Sequence, residues 1–128
     1  VRAGRVTSRR LTELALERLA RYDPALRCVV RLVPARALAA ADRADALLAG
    51  GTWLGPLHGV PYGAKDLLAV AGAPTEWGTP PFTGQTFGAD AEAVRKLDAA
   101  GAVLVAKLSL GELAWGDVWT GGRTNSPW

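Results

Sequence analysis

Residues that usually mark an obvious chemistry are scarce in this sequence. A single cysteine, Cys28, excludes an internal disulfide and a cysteine-ligated metal cluster, and it fits a reducing compartment. Its thiol reads as a buried, inert side chain. The single histidine, His58, stands in a Gly/Pro loop with no carboxylates spaced around it as ligands, so it reads as a structural hydrogen-bonder. A Ser-His-Asp triad would need a serine beside it, and nothing in the sequence places one there. No apolar run approaches the roughly 20 residues that a membrane helix requires. There is no G-x-G-x-x-G. The nearest approach to a phosphate loop has Ala64 where a glycine is needed and Asp66 where the magnesium-binding hydroxyl should be, and an acid there would repel phosphate. Lysine is scarce as well: of fifteen cationic residues only Lys65, Lys96 and Lys107 are lysines.

What is present describes a soluble-type globular chain. At 128 residues, 49% hydrophobic and 21% charged, it is long enough to bury a core and fits one domain or part of a larger one. It starts at Val1 and stops at Trp128 after a turn-like "NSPW", which reads as a portion of a longer protein. The net charge of +3 is uneven, with ten arginines against five acids in residues 1–50. That excess could serve nucleic acid. Helical plotting of "SRRLTELALERLARY" favours a solvated face instead: Leu11, Leu14, Ala15, Leu19 and Tyr22 form an apolar arc, and Arg9, Glu13, Glu17 and Arg21 lie opposite. Glu17 precedes Arg21 by four residues, the favourable order for a helical ion pair. Arg18 falls inside the apolar arc and must snorkel or find a partner.

The pattern predicts a helix from about Ser8 to Tyr22, capped by Thr7 or Ser8 and ended by "DP". "CVVRLV" (28–33) reads as a strand, and Pro34 opens a second helix that stops at Gly50-Gly51. "VPYGAK" is extended and ends near Lys65. From Ala71 to Gly88 glycine and proline predict an irregular excursion carrying Trp77 and Phe82. "DAEAVRKLDAAG" is an amphipathic helix with Ala93, Val94, Leu97 and Ala100 on one arc, stopped by Gly101. "AVLVA" (102–106) lacks polar alternation, as expected of a strand buried on both faces. Ser109 and Glu112 form a capping box for a further short helix. Helices alternating with apolar strands give the class α/β, with a mixed, largely parallel sheet covered by helices. No internal repeat or domain boundary is seen.

Lys65 is the residue to explain. In an extended segment, residues 65 and 66 point to opposite faces, so Asp66 cannot simply neutralise its neighbour. A lysine that entered an apolar interior would lose hydration, which lowers its pKa and suits it to general-base or Schiff-base work. The alternative is a surface lysine at a strand end. Lys107, which ends the "AVLVA" strand, competes for the base role.

"LGPLHGVPYGAKDLLAVAGAPT" resembles the segment around the catalytic lysine of the amidase signature family. "DAEAVRKLDAAGAVLVAKLSLGELAWG" is similar to that family's helix, strand and capped-helix passage, and "GGRTNSPW" to the turn before its Gly/Ser-rich signature. The match runs through nearly the whole chain in order, so residues 1–128 would be the N-terminal part of a single amidase signature domain. Ser126 departs from the pattern, which commonly has asparagine before that proline.

The resemblance implies amide C–N hydrolysis by a serine nucleophile, a second serine in a cis-peptide linkage and a lysine. The lysine carries over to Lys65. Lys107 also matches a family lysine, one without a catalytic part, which suggests a structural duty. Ser8, Ser109 and Ser126 do not match the catalytic serine positions, which lie beyond Trp128, so the fragment by itself should be inactive. Substrate contacts are expected from Trp115, Gly116 and Asp117; Trp115 and Trp119 either wall the acyl pocket or pack in the core. No cofactor and no metal are implied. The partner is a small-molecule amide, in a cytoplasmic protein without direct nucleic-acid or membrane contact, with amidotransferase subunits or a second copy as macromolecular partners. Two alternatives stand beside this reading: the glutaminase-type subunit of an aminoacyl-tRNA amidotransferase, and a non-catalytic interaction fragment.

Overall fold

Alternating amphipathic and β-branched segments assemble into three layers in the computed structural model, which describes all 128 residues. α1 (Ser8–Leu26) and α2 (Pro34–Ala49) cover one face of a sheet made of β1 (Val29–Leu32), β2 (Pro61–Lys65) and β3 (Val103–Leu108). α3 (Glu92–Ala99) covers the other face through Val94, which is fully buried with Ala64, Val70, Ala73 and Leu104. The strand order is β1-β3-β2, with β3 antiparallel to β1 and parallel to β2, so the sheet is mixed as the pattern predicts. β3 is the central strand, and its apolar run is buried on both faces. Ala37 and Ala41 of α2 are wholly buried against it; side chains this small let the helix sit close to the strand.

β3 contains a bulge. Tyr62 pairs with Leu104 but Gly63 pairs with Ala106, so Val105 and Ala106 together oppose one residue of β2. Val103, Val105 and Ala106 consequently all pack on the α1/α2 side, whereas Leu104 faces α3.

Helix α1 runs one turn further than predicted. Pro24 lies in its last turn, where it lacks the N–H that would bond the Ala20 carbonyl, yet the helix continues to Leu26 and ends at Arg27 in the left-handed conformation (φ 52°). The Asp23 carboxylate then accepts the Cys28 and Val29 N–H groups at 2.7 and 2.8 Å, so "DP" shapes the exit rather than the end. At the other end Thr7 is the cap, and its hydroxyl accepts the Arg10 N–H at 3.0 Å. Asp45 of α2 accepts the Ser8 and Arg9 N–H groups at 2.7 and 2.9 Å, placing an anion at the positive end of α1. The predicted Glu17–Arg21 pair does not form. Glu17 turns back to Arg10 at 3.5 Å, and Arg21 lies over the Tyr22 ring. Arg18 remains exposed.

α2 and its stop at Gly50, the extended segment to Lys65 and the stop of α3 at Gly101 (φ 83°) agree with the sequence pattern. The 71–88 excursion is irregular apart from one tight turn at Pro80–Phe82, and the Trp77 ring meets Phe82 edge-on at 4.7 Å. Ala93 is exposed rather than buried with Val94, because the short α3 meets the sheet along a narrow stripe. The capping box at Ser109 and Glu112 is absent: the Ser109 hydroxyl is engaged by Thr124 Oγ1 at 2.6 Å, and only one tight turn forms at Glu112–Ala114. A small hairpin of β4 (Val118–Trp119) and β5 (Gly122–Arg123) follows, and Asn125 returns the chain to the carbonyls of Ala25 and Leu26. No helix is long and apolar enough to cross a membrane.

Candidate functional site

The end of β2 separates three consecutive residues between two faces. Ala64 is buried on the α3 side with Val94 and Leu104. Alternation sends Lys65 to the face of Pro61 and Gly63, where it is exposed and takes part in none of the ion pairs of the chain. Asp66 turns inward again and is fully buried. The lysine that enters the interior is therefore Lys107, not Lys65, because β2 is an edge strand in this sheet while β3 is central.

Lys107 and Asp66 meet there as a buried ion pair, Nζ to Oδ1 at 2.8 Å. Lys107 Nζ also donates to Thr75 Oγ1 at 2.7 Å and to the Pro74 carbonyl at 3.3 Å. Asp66 Oδ2 accepts the Glu76 N–H at 2.9 Å, and the Asp66 N–H donates to the Leu108 carbonyl at 2.8 Å. Sequence reasoning gave Lys107 a structural duty but missed its partner. The signal was partial: a cation ending a wholly apolar central strand needs a carboxylate, but nothing local to the strand says that it is Asp66.

On the Lys65 side of the sheet, α1, β2 and β3 enclose an open apolar groove of about 670 Å³. The arc predicted on α1, from Leu11 to Tyr22, forms its wall, and Tyr62, Gly63 and Leu108 form its floor. Leu14 and Tyr22 remain 36% and 47% exposed there, so this face is only partly covered. Cys28 also borders the groove and is half-buried rather than buried; burial foremost, then the neighbouring Asp23, pushes its thiol pKa up and disfavours the reactive thiolate. The Tyr62 phenol is pushed up to about 12, first by burial and then by the Asp98 carboxylate.

Trp115, Gly116 and Asp117 lie on the surface beyond β3. The Trp115 ring is 86% exposed, Gly116 takes a positive φ of 73°, and Asp117 pairs with Arg123 at 3.1 Å. None of these residues, nor Lys65, lines the groove. Trp119 is half-buried, and its indole N–H has no partner. His58 is wholly buried as a hydrogen-bonder: Nε2 lies 2.8 Å from the Ala44 carbonyl, and Nδ1 accepts the Leu54 N–H at 3.2 Å. Those partners fix the neutral tautomer with the proton on Nε2, and Trp53 stacks on the ring. No group of three or more His, Cys, Asp or Glu side chains converges in a way that could hold a metal ion.

Comparison with known proteins gives a consistent set of similarities. The model of the Amidase family matches residues 10–128. AmiD of Mycobacterium tuberculosis is 44% identical over 115 residues, covering 90% of this chain and 24% of AmiD. A glutamyl-tRNA(Gln) amidotransferase subunit of Chloroflexus aurantiacus is 39% identical over 129 residues, covering 98% of this chain and 26% of its own length. Among solved structures, the peptide amidase of Stenotrophomonas maltophilia superposes with a TM-score of 0.87 at 34% identity, over 96% of this chain and 27% of that one. The chain thus spans about a quarter of the length of the curated relatives it matches.

Proposed function

The chain belongs to the amidase signature family, and from that premise we propose that it is the lysine-bearing part of a longer enzyme that cleaves amide C–N bonds. The observation that supports this most is the fate of the two lysines at the β2/β3 end. Asp66 is consumed by Lys107 on the inner face, which leaves Lys65 on the opposite face without a carboxylate partner. An unpaired lysine is the one that can give up its proton when further chain covers it and removes water. In this reading neutral Lys65 accepts a proton through the cis-serine, and the nucleophilic serine attacks the amide carbonyl. The amine leaves with a proton, and water releases the acid from the acyl-enzyme. Both serines belong to the sequence that follows Trp128. Trp115, Gly116 and Asp117 border the substrate, with the exposed indole available to cover an acyl group. The enzyme works in the cytoplasm.

A second reading is favoured by the 39% identity, over 98% of the chain, to a glutamyl-tRNA(Gln) amidotransferase subunit. There the amide is that of glutamine, and the ammonia passes to an acceptor held by partner subunits. The test is a polypeptide carrying this chain at the length of its relatives, assayed for ammonia release from aryl, alkyl and peptide amides and from glutamine. Turnover of simple amides supports the first reading. Turnover of glutamine alone supports the second. Absence of both, in a folded protein, supports a non-catalytic role.

A further inference from the structure

Burying a lysine with a carboxylate is a costly way to fill an interior, since apolar side chains of similar volume usually serve stability as well or better. Lys107 is nonetheless 0% exposed and the Asp66 side chain 1%. The pair binds three separate pieces of chain at one point: the end of β2, the end of β3, and the 71–88 excursion through Pro74, Thr75 and Glu76. Lys65 immediately precedes that point. Its position is set from both sides, by pairing of Lys65 with Leu108 and by the Asp66 N–H bond to the Leu108 carbonyl. Its own side chain forms no ion pair that could orient it.

We propose that Asp66 and Lys107 are positioning residues for Lys65: they fix where β2 ends, and so aim the amine on the opposite face while keeping the charge behind it balanced. The proposal rests on the reading of Lys65 as the base. The other groups that face the pair are uncharged: the Thr75 hydroxyl, the Pro74 carbonyl and the Glu76 N–H, while the Glu76 carboxylate is turned to the Gly84 N–H at 2.7 Å. Removing one partner therefore changes the charge behind Lys65 by a whole unit.

The test uses the family-length polypeptide with Asp66→Asn, Lys107→Met and the double change, following kcat and KM against pH beside urea unfolding. A misaimed base should lower kcat by about 10- to 100-fold while KM stays within about twofold. The acid limb of kcat/KM reports the free enzyme's base. It should move to lower pH in Asp66→Asn, where an unpaired cation disfavours a protonated Lys65, and to higher pH in Lys107→Met. The double variant restores neutrality, so its limb should return to the wild-type position with kcat still reduced by about tenfold. If the single variants do not fold, the double variant decides. Wild-type kcat in a folded double variant, or an unmoved limb in folded single variants, overturns the positioning role. Lys65→Arg is assayed alongside: full turnover there overturns the base reading itself, whereas an inactive Lys65→Arg beside fully active pair variants overturns the positioning role alone.

Discussion

Arg36 and Asp90 form a two-pronged ion pair, Nη1 to Oδ1 at 2.9 Å and Nη2 to Oδ2 at 2.6 Å, that ties α2 to the segment entering α3. Arg36 foremost holds the Asp90 carboxyl below the usual carboxylate range, against the opposing effect of burial; the Ala71 N–H adds to it. A carboxyl lowered in the folded state contributes stability that is complete above its unfolded pKa of about 3.9 and fades as pH falls through the folded value. Asp90→Asn should therefore cost about 1–2 kcal/mol at pH 7. Because the unfolded carboxyl protonates first, the gap to wild type should narrow steadily below about pH 4. Urea unfolding of both proteins across pH 3–7 measures it; a gap that widens in acid would contradict the assignment.

His58→Phe should destabilise by about 1–3 kcal/mol, because the Leu54 N–H loses its acceptor and the Ala44 carbonyl its ring partner at a wholly buried side chain. The aromatic stack on Trp53 would survive, so the loss is a hydrogen-bonding one. Turnover at saturating substrate should be unchanged in the folded variant. A folded His58→Phe enzyme with abolished activity would move His58 out of the structural role.

Lys65→Ala and Lys65→Arg should both abolish amide hydrolysis in the family-length enzyme with little change in melting temperature. The side chain is exposed and unpaired in this part of the protein, so its removal costs the fold little. Arginine keeps the charge but cannot give up its proton near neutral pH, and so cannot accept one. Lys107→Ala should behave oppositely on stability, losing about 3–5 kcal/mol by stranding Asp66 as a buried charge. Circular dichroism melts beside ammonia release separate the two lysines.

The 128-residue chain alone should release no ammonia from amides and should unfold without a sharp transition. Only 23 of its 128 residues are buried, the α1 face along the groove stays open, and β2 is an unprotected edge. A cooperative urea transition with a steep slope would show an independent domain and favour the non-catalytic reading.

The sequence revealed the elements better than their junctions. Gly50, Gly101 and the apolar run at 103–105 declared α2, α3 and the central strand directly, because caps and burial act locally. Opposite orientation of Lys65 and Asp66 followed from alternation alone. The end of α1 did not, since the helix runs past Pro24 to an exit held by the Asp23 carboxylate. The capping box failed for a different reason: Ser109 is claimed by Thr124, fifteen residues on. The Asp66–Lys107 pair likewise joins residues far apart in the chain, and no local pattern announces which distant carboxylate a buried lysine will find.

The bulge at Val105 gives β3 two independently phased halves. Counted strictly by twos from Val103, position 107 would fall on the α1/α2 side, with its ammonium driven among Ala37, Ala41 and Val105. The one extra residue turns the tail over and delivers it to Asp66 instead. Inserting one further residue between Ala106 and Lys107 would reverse that phase again, whereas deleting one residue here would merely remove the bulge. With an apolar insert the strand would stay apolar and keep its propensity, and yet bury a cation in an alanine-lined core while orphaning a carboxylate on the far side. Length here is part of the electrostatic design, and a comparison scoring residue similarity without counting positions would miss the lesion entirely.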